Sequence, residues 1–286
     1  MGDLPSAAGK LDLKRANPSA ARDQRIFQAH KFPWWLVPLV LIGLWVIYLI
    51  TSTDTYSNIY RQLQTGITTT LYISFIAYIL SMVFGLLLGI IRANPPVPTS
   101  SFLRIVVYNV ATLYVETLRG LPILVVLLIV AFVAIPKIIE ALAGIGIPVT
   151  VRDIGMDGRA IIALTLTYSA FLSEVFRAGI QSIERGQRDA ARSLGMTYFQ
   201  LMRLVVLPQA IRRVLPPLGN DLIAMIKDSS LVAILGVRDI TQQAKLSSSS
   251  SFLYLETYLI AATIYLSMTT IGSMAVRFLE RRMKFE

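Results

Sequence analysis

The 286-residue chain has no cysteine and a single histidine, His30. Disulfides and thiolate-held metals are therefore excluded, and neither a histidine metal centre nor a histidine-based catalytic triad can be assembled. No Gly-x-x-x-x-Gly-Lys-Ser/Thr stretch occurs, so the phosphate-cradling loop that would bind ATP is missing. Charge is scarce as well: 15% of residues are Asp, Glu, Lys or Arg against 55% hydrophobic, with a mean hydropathy of +0.62. Residues 32–53, 62–91 and 257–276 hold no charged side chain. A helix needs about 20 mostly apolar residues to cross the hydrocarbon of a bilayer, and each of these runs is long enough. The composition is that of an integral membrane protein. The first 31 residues, with six Lys or Arg and no apolar core, read as a polar cytoplasmic tail rather than a secretory signal.

The apolar pattern predicts six spans, near 34–51, 66–91, 106–135, 160–178, 214–236 and 255–276. The third is interrupted at Gly120-Leu121-Pro122, which suggests a short helix carrying Glu116 and Arg119 followed by a membrane helix from Pro122. With the amino terminus inside, 19 of the 27 Lys and Arg fall on the cytoplasmic side and six outside, the remaining two being Arg119 and Lys227. That asymmetry is what the positive-inside rule demands, so the net charge of +10 reports orientation and gives no ground for nucleic-acid binding. Residues 246–251, one Leu and five Ser, are expected to form a flexible external loop. Gly85 and Gly89, four apart on the second span, suit close helix packing.

The loop between the fourth and fifth spans, about 184–208, carries the most specific pattern. It reads as two short helices joined at Gly195, with Thr197 capping the second and Pro208 limiting its continuation. Ala190 and Ala191 keep one surface small, and Leu201, Leu204 and Val205 form an apolar stripe, so the loop suits docking. Asp189-Ala190-Ala191, three residues, Gly195, nine residues and then Val205-Val206-Leu207-Pro208 closely resemble the coupling motif of ABC importer permeases, Glu-Ala-Ala followed at the same spacing by Gly and Ile-x-Leu-Pro. Asp189 and Val205 depart conservatively from it. Tyr114–Ile123, Ser173–Ile183, Leu207–Asn220 and Lys227–Leu231 further resemble the polar-amino-acid branch, the histidine, glutamine and arginine permeases. The resemblance covers residues 60 to 284.

It implies an all-α integral membrane protein, a five-helix ABC importer core over 60–284, preceded by a tail (1–33) and an additional transmembrane helix with an external loop (34–59). It also implies a permease subunit of an importer of polar amino acids in the bacterial inner membrane, both termini cytoplasmic. Asp189, Ala190, Ala191, Gly195 and Pro208 would belong to the element gripped by a separate ABC ATPase dimer. That dimer would bind ATP and Mg, no cofactor being expected in this chain. A second permease subunit, identical or homologous, and an extracytoplasmic amino acid binding protein complete the expected assembly in the bilayer.

Polar residues inside spans are costly and face a cavity or a partner. On the fifth span Asn220 with Lys227 and Asp221 with Asp228, each seven apart, form adjacent polar stripes, with Ser229 and Ser230 beside them. Lys227 and Asp228 together would complement the carboxylate and ammonium of an amino acid; alternatively they neutralise each other or hold helices together. Glu174, and Glu116 with Arg119, are either ion pairs or path residues. Among other classes, a carrier driven by an ion gradient would also use intramembrane acids but leaves the Gly195 loop without a purpose, and an opine or modified amino acid is the main alternative cargo.

Overall fold

The computed structural model describes residue 34 and residues 36–283, so the expectations for the tail, His30 among them, lie outside the described residues. Two units separate, residues 1–49 and 50–286. The described part of the first is most of α1 (Leu36–Ser52), whose apolar residues Leu41, Leu44, Trp45 and Tyr48 are exposed.

The second unit is built from helices α2 (Asp54–Ala93), α3 (Phe102–Gly120), α4 (Ile123–Gly144), α5 (Met156–Gln181), α6 (Arg185–Ser193), α7 (Tyr198–Leu201), α8 (Leu207–Asp228), α9 (Ile240–Ser251) and α10 (Tyr254–Met283). Four of them, α2, α4, α5 and α10, are long and apolar enough to cross a membrane. Helix α2 is 40 residues long and begins at Asp54, so the segment expected as a loop between the first two spans is helical. At 1.5 Å per residue it extends to about 60 Å, twice the hydrocarbon thickness. The break at Gly120-Leu121-Pro122 is present, yet the helix before it runs for 19 residues and is not short. The stretch predicted as the fifth span falls in α8, which is not among those four, extended by a 3₁₀ segment (Ser229–Leu235) that ends at Gly236.

Small residues let the helices approach. A Cβ at Gly85 would lie 2.9 Å from Leu172 Cβ, and one at Gly89 2.7 Å from Phe176 Cβ, so α2 and α5 pack backbone to backbone along this edge. Ser81 Oγ adds bonds to Ala77 O (2.7 Å) and across to Thr165 O (3.2 Å). Gly66 seats the start of α9 on α2, where an added Cβ would meet Ile240 N at 2.6 Å. Gly219 does the same for α8 on Val276 of α10. Around the α2–α5 pair a core of Ile73, Leu127, Leu164, Leu172 and Met225 closes.

Pro136 and Pro208 are each absorbed by a widened turn just before them. In α4, Ile135 N donates to Val130 O, five residues back, making Val130–Ala134 a π-turn. The next donor in that register would be residue 136, a proline without an N–H, so Ala131 O is left open. Arg159 fills it: Nη1 donates to Ala131 O at 3.0 Å, while Nε and Nη2 bond Ile154 O and Val151 O. This accounts for an arginine that is almost fully buried. Before Pro208 the same device recurs, Leu207 N donating to Met202 O across the π-turn Met202–Val206. The expected stop at Pro208 is thereby overturned. The wider turn gives the ring the room an α-turn would deny, and the helix continues to Asp228.

The serine run is also corrected: residues 246–251 complete α9 rather than form a flexible loop. Ser248 and Ser249 hydroxyls bond Lys245 O, and those of Ser250 and Ser251 bond Ser247 O, so the hydroxyls are satisfied on the helix itself. Asp239 starts the helix, its carboxylate accepting from Thr241 N and Gln242 N.

Candidate coupling loop and transport path

Between α5 and α8 the chain forms the knob that the spacing suggested. Helix α6 ends in a Schellman motif: Met196 N donates to Ala191 O at 3.2 Å and Gly195 N to Arg192 O at 2.9 Å. Gly195 has φ +76°, which glycine adopts without strain. Thr197 then caps the next helix in a capping box with Gln200, donor and acceptor exchanged between N-cap and N3. Ala191 is buried in a small core with Ile180, Ile183, Leu201 and Val206, against which Met196 and Val205 pack. Asp189 and Ala190 point outward, and Pro208 sits in the first turn of α8. Of the expected apolar stripe, Leu201 and Val205 face this core while Leu204 is exposed. Leu194, Tyr198 and Phe199 stand around Gly195 with exposures of 79%, 62% and 70%, an apolar tip that no other described residue covers.

The polar stripes of the fifth span divide. Asn220 and Lys227 are exposed, whereas Asp221 and Asp228 are half-buried. Asp228 Oδ2 accepts from the Tyr168 hydroxyl of α5 at 2.7 Å, and no ion pair with Lys227 is found among the described residues. Ser229 is buried and donates to Ile226 O, turning away from solvent. Lys227 and Ser230 instead line a cavity of about 450 Å³ with Thr241 of α9 and Tyr258 and Tyr265 of α10. Its wall is braced from behind, since Tyr265 donates to the buried Asp239 carboxylate (3.0 Å) and meets the Thr241 hydroxyl (3.0 Å).

Glu174 lies elsewhere, in a charged chain joining three helices. Arg92 at the end of α2 pairs with Glu116 of α3 (2.7 Å) and Glu174 of α5 (3.1 Å), and Glu174 also pairs with Arg177. Glu116 thus finds Arg92, not its helix neighbour Arg119. Arg92 is buried, so the two carboxylates on it offset the cost of removing a guanidinium from water.

Residues 85–285, well over half of the chain, match the sequence profile of the family described as the binding-protein-dependent transport system inner membrane component. The chain belongs to that family. A probable glutamine ABC transporter permease protein of Bacillus subtilis (strain 168) is 37% identical over 220 residues, covering 76% of this chain and 91% of the relative. The glutamine transport system permease protein of Escherichia coli (strain K12) is 33% identical over 221 residues, with 77% and 91% covered. Among solved structures, a chain in the crystal structure of an amino acid ABC transporter with histidines superposes with a TM-score of 0.66 at 34% identity, over 81% of this chain and 99% of that one. As an inner-membrane component of such a system, the chain is a permease subunit and not an enzyme, ATP hydrolysis belonging to a separate subunit.

Within this permease several site residues escaped sequence reasoning. Tyr168, Thr241, Tyr258 and Tyr265 carry no motif, and only the fold brings them to Lys227 and Asp228. Asp239 did leave a signal, an acid three residues before Gln242 at the head of a helix, the N-cap pattern.

Proposed function

We propose that this permease forms the translocation path of an ATP-driven importer for a polar amino acid, glutamine being the first candidate, and docks its Gly195 loop on a separate ABC ATPase dimer. The observation that carries the reading is the loop itself: a short helix stopped at Gly195, seated on its own small core and presenting Leu194, Tyr198 and Phe199 outward. An exposed apolar tip on a rigid knob is the kind of surface that a protein partner covers. Two such loops serve the two nucleotide sites of an ATPase dimer, so a second permease subunit, identical or homologous, joins this one. An extracytoplasmic binding protein delivers the amino acid. The relatives' names supply the solute class.

In this reading Lys227 offers its ammonium to the substrate carboxylate in the cavity bounded by Thr241, Tyr258 and Tyr265, while Asp228 fastens α8 to α5 through Tyr168. Ser230 borders the same cavity, while Asn220 and Asp221 lie two turns earlier on α8. A cavity of about 450 Å³ is within the usual range for small-molecule sites. In this reading the termini and the 184–208 loop lie in the cytoplasm, which the excess of Lys and Arg on that side supports.

Proteoliposomes holding the permease with its ATPase and binding protein test the function, with labelled glutamine, histidine, arginine and an opine as solutes. ATP-dependent uptake of glutamine or another polar amino acid is expected; uptake of the opine alone, or uptake driven by an ion gradient without ATP, refutes it. Single cysteines introduced at residues 10 and 284, on a chain with none of its own, test the orientation, since labelling of either from outside intact cells contradicts it.

A further inference from the structure

The arginines of the coupling loop are not all surface charge. Arg188, in the middle of α6, is half-buried, and its Nη2 donates back to Ile180 O in the last turn of α5. Arg213 of α8 donates through Nη1 to Ser182 O, the C-cap residue of the same helix. The third side is closed by Gln209 Nε2 of α8, which donates to Gln187 Oε1 of α6 at 2.8 Å. Each pair among α5, α6 and α8 is therefore tied by one side-chain hydrogen bond.

The chemistry at the shared corner favours these bonds. The final carbonyls of a helix have no partner within it and carry the negative end of its dipole, so a guanidinium is the suited donor. Beside this corner a Cβ on Gly179 would fall 2.1 Å from Val214 Cγ1, so α5 and α8 touch with no space to slide. Helix α8 leads from this point to Lys227 and the cavity, and α5 leads to Tyr168, which holds Asp228. A triangle with three fixed sides cannot shear, whereas one with a side removed can.

We infer that Arg188 and Arg213 are positioning residues for transport: they make α6, the end of α5 and the start of α8 one rigid node, which carries displacement of the docked loop undiminished to the two helices that meet at Asp228. The inference rests on the coupling reading of the Gly195 loop and adds the residues that turn docking into helix motion. Neither arginine needs to touch the ATPase or the cargo for this role.

The test uses the permease assembled with its ATPase and binding protein in liposomes, with glutamine as the probe. Arg188→Met and Arg213→Met keep apolar length and remove the donors. They are expected to assemble with the ATPase in normal yield and to hydrolyse ATP at the basal rate, while glutamine moved per ATP falls about fivefold or more, the lower end of ordinary coupling factors between linked sites. Arg188→Lys, which retains a donor, recovers most of that ratio. A covalent side should do the same. With no native cysteine present, Gln187→Cys and Gln209→Cys can be joined by a bifunctional maleimide, and the cross-link is expected to leave transport intact in the parent chain and to restore the ratio in Arg213→Met. Three results overturn the node: an unchanged ratio in both Met variants, a cross-link that stops transport in the parent chain, or Met variants that lose ATPase docking and are not recovered by the Lys variant. Absent docking of the parent chain itself overturns the coupling reading as well, so the two failures are told apart by which protein shows them.

Discussion

Arg159 and Pro136 form a pair whose coupling can be measured. Replacing Arg159 with Met removes donors from three carbonyls, those of Ala131, Ile154 and Val151, and leaves a side chain of similar length in its place. Bonds involving a charged group contribute about 1.5–3 kcal/mol each and are not additive. Loss of about 3 kcal/mol or more is expected, seen as a fall of several degrees in the melting temperature of the detergent-solubilised permease. Ala131 O is open only because residue 136 has no N–H, so Pro136→Ala supplies an alternative donor in the helix itself. In the Arg159→Met background that substitution should recover about 1 kcal/mol, one net hydrogen bond, beyond its effect in the parent chain. The assay is a double-mutant cycle on thermal unfolding. Strict additivity, with Pro136→Ala doing the same in both backgrounds, would show that Arg159 is not compensating for the proline and would refute the reasoning.

Two further outcomes follow from packing and from the cavity. Gly89→Ala forces a Cβ to within 2.7 Å of Phe176 Cβ and should cost about 1–3 kcal/mol by overpacking, whereas Gly43→Ala on α1 meets nothing within 4 Å and should be neutral or slightly stabilising; equal melting temperatures would contradict the α2–α5 contact. Lys227→Met should raise the substrate concentration for half-maximal uptake by about one to two decades with normal assembly, while Asp228→Asn, which can still accept from Tyr168, should leave that concentration within a few-fold of the parent; the reverse order would assign the substrate contact to Asp228.

Local rules carried most of what the sequence disclosed. Gly195 and Thr197 act through bonds to residues within five positions, so a helix stop and a cap were visible in the order of the side chains. Gly85 and Gly89 announced a close approach by their spacing, though not that α5 was the partner. Local rules also misled where a longer-range structure compensates. Pro208 breaks an α-turn but not a π-turn, and five serines form a helix once Asp239 caps it and the hydroxyls of four of them turn back on the backbone. The cavity was half legible: Lys227 and Ser230 stood out as polar residues in an apolar setting, while Tyr258 and Tyr265 look like ordinary membrane aromatics until α10 is folded beside α9. Separating Lys227 from Asp228 needed the structure, because adjacent residues point about 100° apart on a helix and only the position of Tyr168 decides which one is held.

The central claim is that the Gly195 loop joins this permease to its ATPase, and Gly195→Asp tests it most directly. A Cβ at this position meets nothing within 4 Å among the described residues, so the packing they form is spared. The left-handed backbone, at φ +76°, is one that Asp tolerates better than most residues. The variant should therefore fold and insert normally while its added bulk and charge obstruct the surface that has to be covered. Measured side by side with the parent chain, ATPase co-purification and binding-protein-stimulated hydrolysis should fall sharply at unchanged permease yield; normal docking and normal stimulated hydrolysis would contradict the account.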